Sequence, residues 1–306
     1  MSFRFAHVAQ RLFDTPLMYD PRKAEAFLHG LGSRISGDTI VITNPEGAID
    51  HIAGANGRPL AGKLGGRIER AYTRSNMLPF DMVDNVAIIP VEGSLVHKGG
   101  WTGSMSGETS YQGLQAQIAM ARKSSAVRGV AFEYDSYGGE VNGVFETASG
   151  ISQLSKEKPT ISILTDWAYS AGYLLASQSR QIVMPRYGGA GSIGVIMIHA
   201  DYSQALDDAG IRLTIIRSGK KKADGNPYEP LNAEIAGKWQ AQADLIRQEF
   251  AGVVAQGRSN RITKAKALAT EAAVYDAGEA VAMGLADAIG DPVEAFDAFV
   301  REVNRG

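Results

Sequence analysis

The chain has 306 residues, no cysteine, and a formal net charge of −2 from 31 basic and 33 acidic side chains. It can form no disulfide, thiolate nucleophile or cysteine zinc site, and the balanced charge gives no electrostatic footprint for nucleic acid or an anionic membrane. A hydrophobic fraction of 44% is ordinary for a soluble globular protein, and a chain this long buries enough surface to need no staple.

The opening MSFRFAHVAQRLFDTPLMYD has basic residues but no apolar run of signal-peptide length. Nowhere do about 18 apolar residues run together, so the expectation is a cytoplasmic protein without a membrane span. Residues 21–31 (PRKAEAFLHGL) read as a short amphipathic helix with Ala24, Phe27, Leu28 and Leu31 on one face, and 40–43 as a strand. Residues 54–66 (GANGRPLAGKLGG) lack an apolar period and read as a loop or linker. The division is therefore an N-terminal extension, 1–80, and a main domain, 81–306.

From Asn85 onward, short apolar runs alternate with helical segments. Strands are expected at 86–91 (VAIIPV), 129–134 (GVAFEY), 160–164 (TISIL), 181–184 (QIVM), 194–199 (GVIMIH) and 212–217 (RLTIIR). Helices are expected at 109–124, 143–156, 171–179, 201–209, 231–257 and 292–303, with a further glycine-bounded helix in 274–290. Apolar strands separated by helices imply an α/β layer with a largely parallel sheet, whose chemistry sits on loops at strand ends.

Four segments can carry chemistry. In 135–139 (DSYGG), paired glycines let backbone N–H groups approach a substrate, which suits an oxyanion hole, although a plain strand-to-helix turn reads the same way. In 166–177 (DWAYSAGYLLAS), Ser170 falls at a helix start beside Ala171 and Gly172, either as a nucleophile or as a simple N-cap. Residues 188–194 (GGAGSIG) lack the lysine and hydroxyl pattern of a phosphate loop. Residues 218–222 (SGKKK) form a solvated basic turn, or else bury one lysine; desolvation and like-charged neighbours then favour a neutral amine able to take a proton from a hydroxyl. No histidine spacing suggests a metal site, and no cofactor is expected.

Together with VAIIPVEGSL and the closing VYDAGEAVAMGLADAIG, these segments resemble, in order, the signal peptide peptidase A family of serine peptidases. The resemblance covers about residues 85–300 and implies a Clp protease/crotonase-like fold. It makes Ser170 the nucleophile and Lys222 its general base, the second lysine of the Ser-Gly-Lys-x-Lys pattern. It makes Gly139, with Gly138, the oxyanion-hole donor, and Ser192 a serine that orients the lysine. Tyr137 departs from the proline usual there. The leader FDTPLMYDPRKAEAFL is similar to that of the phage and prophage branch, which implies scaffold, portal or capsid proteins as substrates; the family resemblance implies a homo-oligomer and a small apolar pocket before the cut. A cytosolic peptide-degrading peptidase of the same family, or a structural capsid component with an inactive protease fold, are the alternatives.

Two further readings remain. Residues 168–172 (AYSAG) imitate the nucleophile elbow of an α/β-hydrolase, but the only later histidine, His199, follows closely inside an apolar run. A crotonase-type acyl-CoA enzyme would share the oxyanion hole without using Ser170 and Lys222 together.

Overall fold

The computed structural model describes residues 15–19, 67–99, 101–105 and 107–305. In chain order its elements are β1 (Leu17–Tyr19), α1 (Arg67–Ser75), β2 (Asp81–Val83), β3 (Val86–Val96), β4 (Ser104–Met105) and β5 (Glu108–Ser110). Next come α2 (Tyr111–Lys123), β6 (Gly129–Glu140), α3 (Val144–Glu157), β7 (Thr160–Tyr169), α4 (Ala171–Ala176), β8 (Gln181–Met184), β9 (Gly189–Gly191) and α5 (Ser203–Asp208). The chain ends with α6 (Ala233–Arg258), α7 (Lys264–Ala269), β10 (Val274–Asp276), α8 (Ala277–Met283), β11 (Ala288–Ile289) and α9 (Pro292–Arg305).

The expected α/β architecture is present. β3, β6, β7 and β8 pair in parallel, and their side chains alternate between two buried faces. Val130, Phe132 and Tyr134 of β6 face the larger core with Leu114 and Ile118 of α2, Leu154 of α3 and Phe250 of α6. Ala131 of β6 and Ile161 and Ile163 of β7 face the opposite side, which α9 covers with Phe299, Val300 and Val303. Burial on both faces is why these strands read as apolar runs rather than as apolar–polar alternation.

The central strands run past their apolar stretches. The register between β3 and β6 shifts between Glu92 and Ser94, and that between β6 and β7 between Tyr134 and Ser136. Such irregularities bend strands and re-aim side chains. Beyond them the strand ends gather with β9, β10 and β1: β1 pairs antiparallel with Gly138–Glu140, and β10 with β9. α1, also from the expected N-terminal extension, packs Ile68 and Tyr72 against Ala116 of α2.

Three expectations are corrected. Residues 212–217 form no strand, and Leu213 and Ile216 are exposed, so their alternation finds no sheet edge among the described residues. Residues 194–199 form no continuous strand: Ile196 and Ile198 make isolated bridges, that of Ile196 to Leu17. Residues 274–290 form β10, α8 and β11 rather than one helix, because Asp276 caps α8 through the Glu279 N–H and Gly284 ends it at φ 79°. The helix expected over 21–31, the strand over 40–43 and the loop over 54–66 lie outside the described residues.

Candidate active site

Ser170 stands at the turn from β7 into α4, with φ 51° and ψ −120°, a conformation that costs a non-glycine residue about 1–3 kcal/mol and persists only where the surroundings enforce it. The surroundings are visible: its N–H donates to the Gly191 carbonyl at 2.9 Å, and its carbonyl accepts from the Leu174 N–H at 2.9 Å. The side chain does not cap the helix. Its residue is 1% exposed, and Oγ has no hydrogen-bond partner among the described residues. A buried hydroxyl left without a partner is costly, so the simple N-cap reading fails and a group held for reaction fits better.

Gly138 and Gly139 lie against this serine. Gly138 has φ 102°, and a Cβ built there would stand 2.1 Å from the Met18 carbonyl oxygen, 3.0 Å from Ser170 Cβ and 3.1 Å from the Ala171 nitrogen. At Gly139 it would meet the Leu95 carbonyl oxygen at 1.9 Å. Only glycine permits both approaches. The Gly138 N–H donates to Ser136 Oγ at 3.2 Å, and that hydroxyl donates to the Gly93 carbonyl at 2.7 Å. The Gly138 N–H thus has a partner in the single chain, and Gly139 stands in the sheet opposite Met18 and Leu95.

Tyr137, the departure from the usual proline, packs its ring 6.0 Å from both Trp167 and Tyr169, which are also 6.0 Å from each other. This aromatic trio joins the ends of β6 and β7 and holds the strand ahead of Gly138 without proline's fixed φ. Ser192 follows Gly191, the residue that accepts from Ser170; it is 4% exposed at φ 56°, with its N–H donated to the Ala273 carbonyl at 2.8 Å.

Lys222 is not brought to this cluster. It is exposed, in a turn closed by its N–H to the Gly219 carbonyl at 3.1 Å, and Lys220 and Lys221 are exposed with it. The extended geometry that would put Lys220 and Lys222 on one face is absent. The turn is held locally by the Arg217–Glu229 ion pair at 2.9 Å and by Asn226 Nδ2 donating to the Ala223 carbonyl at 2.8 Å. His199 belongs elsewhere, with its ring 5.8 Å from that of Trp239. Among the described residues no His, Cys, Asp and Glu cluster could hold a metal ion, and no helix is long and apolar enough to cross a membrane.

Residues 152–304, half of the chain, match the model of peptidase family S49. The chain belongs to that family. It is 32% identical over 307 residues to the head-tail preconnector protein GP5 of Enterobacteria phage P21, covering 99% of this chain and 59% of that one. It is also 32% identical over 301 residues to the capsid assembly protease C of Escherichia phage lambda, covering 95% of this chain and 64% of that one. The chain therefore spans about three fifths of these relatives. Among solved structures, an enoyl-CoA hydratase from Shewanella pealeana is similar at 10% identity and a TM-score of 0.43, over 74% of this chain and 73% of that one.

The family match begins inside α3 and takes in Ser170, Ser192 and the lysine turn; the glycines that crowd Ser170 lie ahead of it. What sequence reasoning missed is the neighbour on the other side of those glycines. β1 is three residues long, too short for a periodic signal, and was legible only as part of a leader.

Proposed function

We propose that this S49 family chain is a serine endopeptidase acting through a Ser170–Lys222 dyad on phage head-assembly proteins such as scaffold, portal or capsid subunits. The observation that carries the reading is Ser170 itself: strained, buried, with an unpartnered Oγ, and packed on paired glycines. Ser170 Oγ attacks the peptide carbonyl while Lys222 Nζ takes its proton. The oxyanion is held by N–H groups of the Gly138–Gly139 pair, and the proton passes to the leaving amine as the C–N bond breaks. Water then hydrolyses the acyl-serine. The two phage relatives, a head-tail preconnector protein and a capsid assembly protease, support the substrate class.

In the single chain Lys222 makes no bond to Ser170, so the dyad requires the 211–225 segment to be brought against a site. Ile211, Leu213 and Ile216 lie exposed just before the lysines. Burying such side chains yields about 1.5–3 kcal/mol each, which makes association of several copies the natural way to order the segment. A homo-oligomer is thus part of the proposal.

The test is reaction with a fluorophosphonate probe followed by peptide mapping, beside co-expression with portal, scaffold and capsid proteins and mass spectrometry of the fragments. Labelling confined to Ser170, with fragments absent for Ser170→Ala, is the expected result. Fragments that persist with Ser170→Ala would overturn the assignment.

A further inference from the structure

We infer that Leu17–Tyr19 occupy the peptide-binding groove of this same site, an internal strand seated where an extended substrate would lie. The inference rests on the reading of Ser170 as the reacting group. It adds an occupant, a direction of binding and a side-chain preference.

The strand is held on both edges. On one side the Leu17 N–H donates to the Ile196 carbonyl at 2.9 Å, and the Ile196 N–H donates to the Leu17 carbonyl at 2.9 Å. On the other, Leu17, Met18 and Tyr19 stand opposite Glu140, Gly139 and Gly138 in antiparallel register. Backbone groups of successive strand residues point to opposite edges, so those of Met18 turn toward Gly139 when those of Leu17 face Ile196. The Met18 carbonyl oxygen accordingly crowds the same point beside Gly138 that Ser170 Cβ and the Ala171 nitrogen crowd. A carbonyl presented between these glycines and the serine is the arrangement a scissile peptide needs.

The side chains agree. Met18 is fully buried as a member of the main core, and Leu17 is 4% exposed. Tyr19 Oη lies 3.0 Å from Ser94 Oγ, closing the end of the strand over β3. With β1 in place Ser170 is covered. β1 therefore blocks the site in the single chain, and a substrate must displace it by offering a similar extended apolar segment with an unbranched side chain in the Met18 position.

The chain has no native cysteine, so Leu17→Cys with Ile196→Cys introduces a lone pair. Directly opposed residues of a bonded antiparallel pair have Cα atoms about 5.5 Å apart, within disulfide range. Fluorophosphonate labelling of Ser170 should be at least tenfold faster after reduction than in the oxidised form. Equal rates would overturn the inference.

A second arm does not depend on catalysis. In a Ser170→Ala background, Met18→Asp should eject the strand and admit a fluorescein-labelled peptide of residues 13–22 (FDTPLMYDPR), at least tenfold more tightly than Ser170→Ala alone by anisotropy. Equal affinity for the two proteins, both folded by circular dichroism, would overturn the inference. Peptide binding without any Ser170 labelling would leave the groove standing and count against the dyad alone.

Discussion

Ser170 Cβ lies 3.0 Å from the point where a side chain on Gly138 would begin. That glycine is fixed twice, by its φ of 102° and by the Met18 carbonyl oxygen 2.1 Å from the same point. Gly138→Ala is expected to cost more than about 2 kcal/mol of stability and to abolish labelling of Ser170. Gly150→Ala is the control. That glycine lies within α3, its Cβ would meet only Ile118 Cγ2 at 3.6 Å, and the change should stabilise by about 0.5–1 kcal/mol. Urea unfolding of the two variants compares them directly.

The strain at Ser170 gives its own signature. Ser170→Ala keeps the positive φ and should unfold within about 1 kcal/mol of the parent, without activity. Ser170→Gly relieves the backbone and should be more stable than Ser170→Ala, while equally inactive. A Ser170→Gly variant clearly less stable than Ser170→Ala would mean that the turn carries no strain.

What the sequence made legible follows from where burial occurs. Val130, Phe132, Ile161 and Ile163 are buried on one face or the other, so their strands read directly as apolar runs. Ser170 and the 138–139 glycines were legible because close backbone approach demands small residues in a fixed order. The segment 212–217 misled because alternation signals a strand only when an edge is available to pair with it. β1 was hidden for the opposite reason: its order comes from Gly138–Glu140 and Ile196, more than a hundred residues away, and not from any pattern of its own.

The Ser-Gly-Lys-x-Lys pattern, with Lys221 at its variable position, gives graded expectations. Lys222→Ala should lose nearly all cleavage, Lys220→Ala a fraction, and Lys221→Ala little, measured on a common peptide substrate. Equal tolerance of all three would remove the dyad. His199→Ala should cleave normally, since its ring neighbours Trp239. Ile216 is 95% exposed, and Ile216→Asp should reduce both association by light scattering and the rate of Ser170 labelling. A fully active monomer would contradict the need for assembly.

The last expectation concerns stability and pH, and rests on Asp287 and Arg258. Arg258 is fully buried at the end of α6 and forms a paired bridge to Asp287, Nη1 to Oδ2 at 2.9 Å and Nη2 to Oδ1 at 2.8 Å. Arg258 Nε also donates to the Gly284 carbonyl at 3.1 Å, and the Ile182 N–H donates to Asp287 Oδ2 at 2.7 Å. The clamp therefore ties α6 and the loop after α8 to β8. Burial by itself would raise the Asp287 carboxyl, but the Arg258 guanidinium, the Ile182 N–H and Arg261 outweigh it and hold the carboxyl below its ordinary value of 3.8. A carboxylate depressed on folding contributes stability that is present above its unfolded value and is lost as pH falls through the folded one. Asp287→Asn leaves the buried guanidinium without its counter-charge and should cost about 3–5 kcal/mol at neutral pH. The gap between parent and variant should hold steady above about pH 5 and narrow below about pH 4, as the parent protonates and loses what the variant already lacks. Urea unfolding of both proteins from pH 3 to 8 measures that gap, and a gap unchanged down to pH 3 would show that the charge on Asp287 contributes nothing to the clamp.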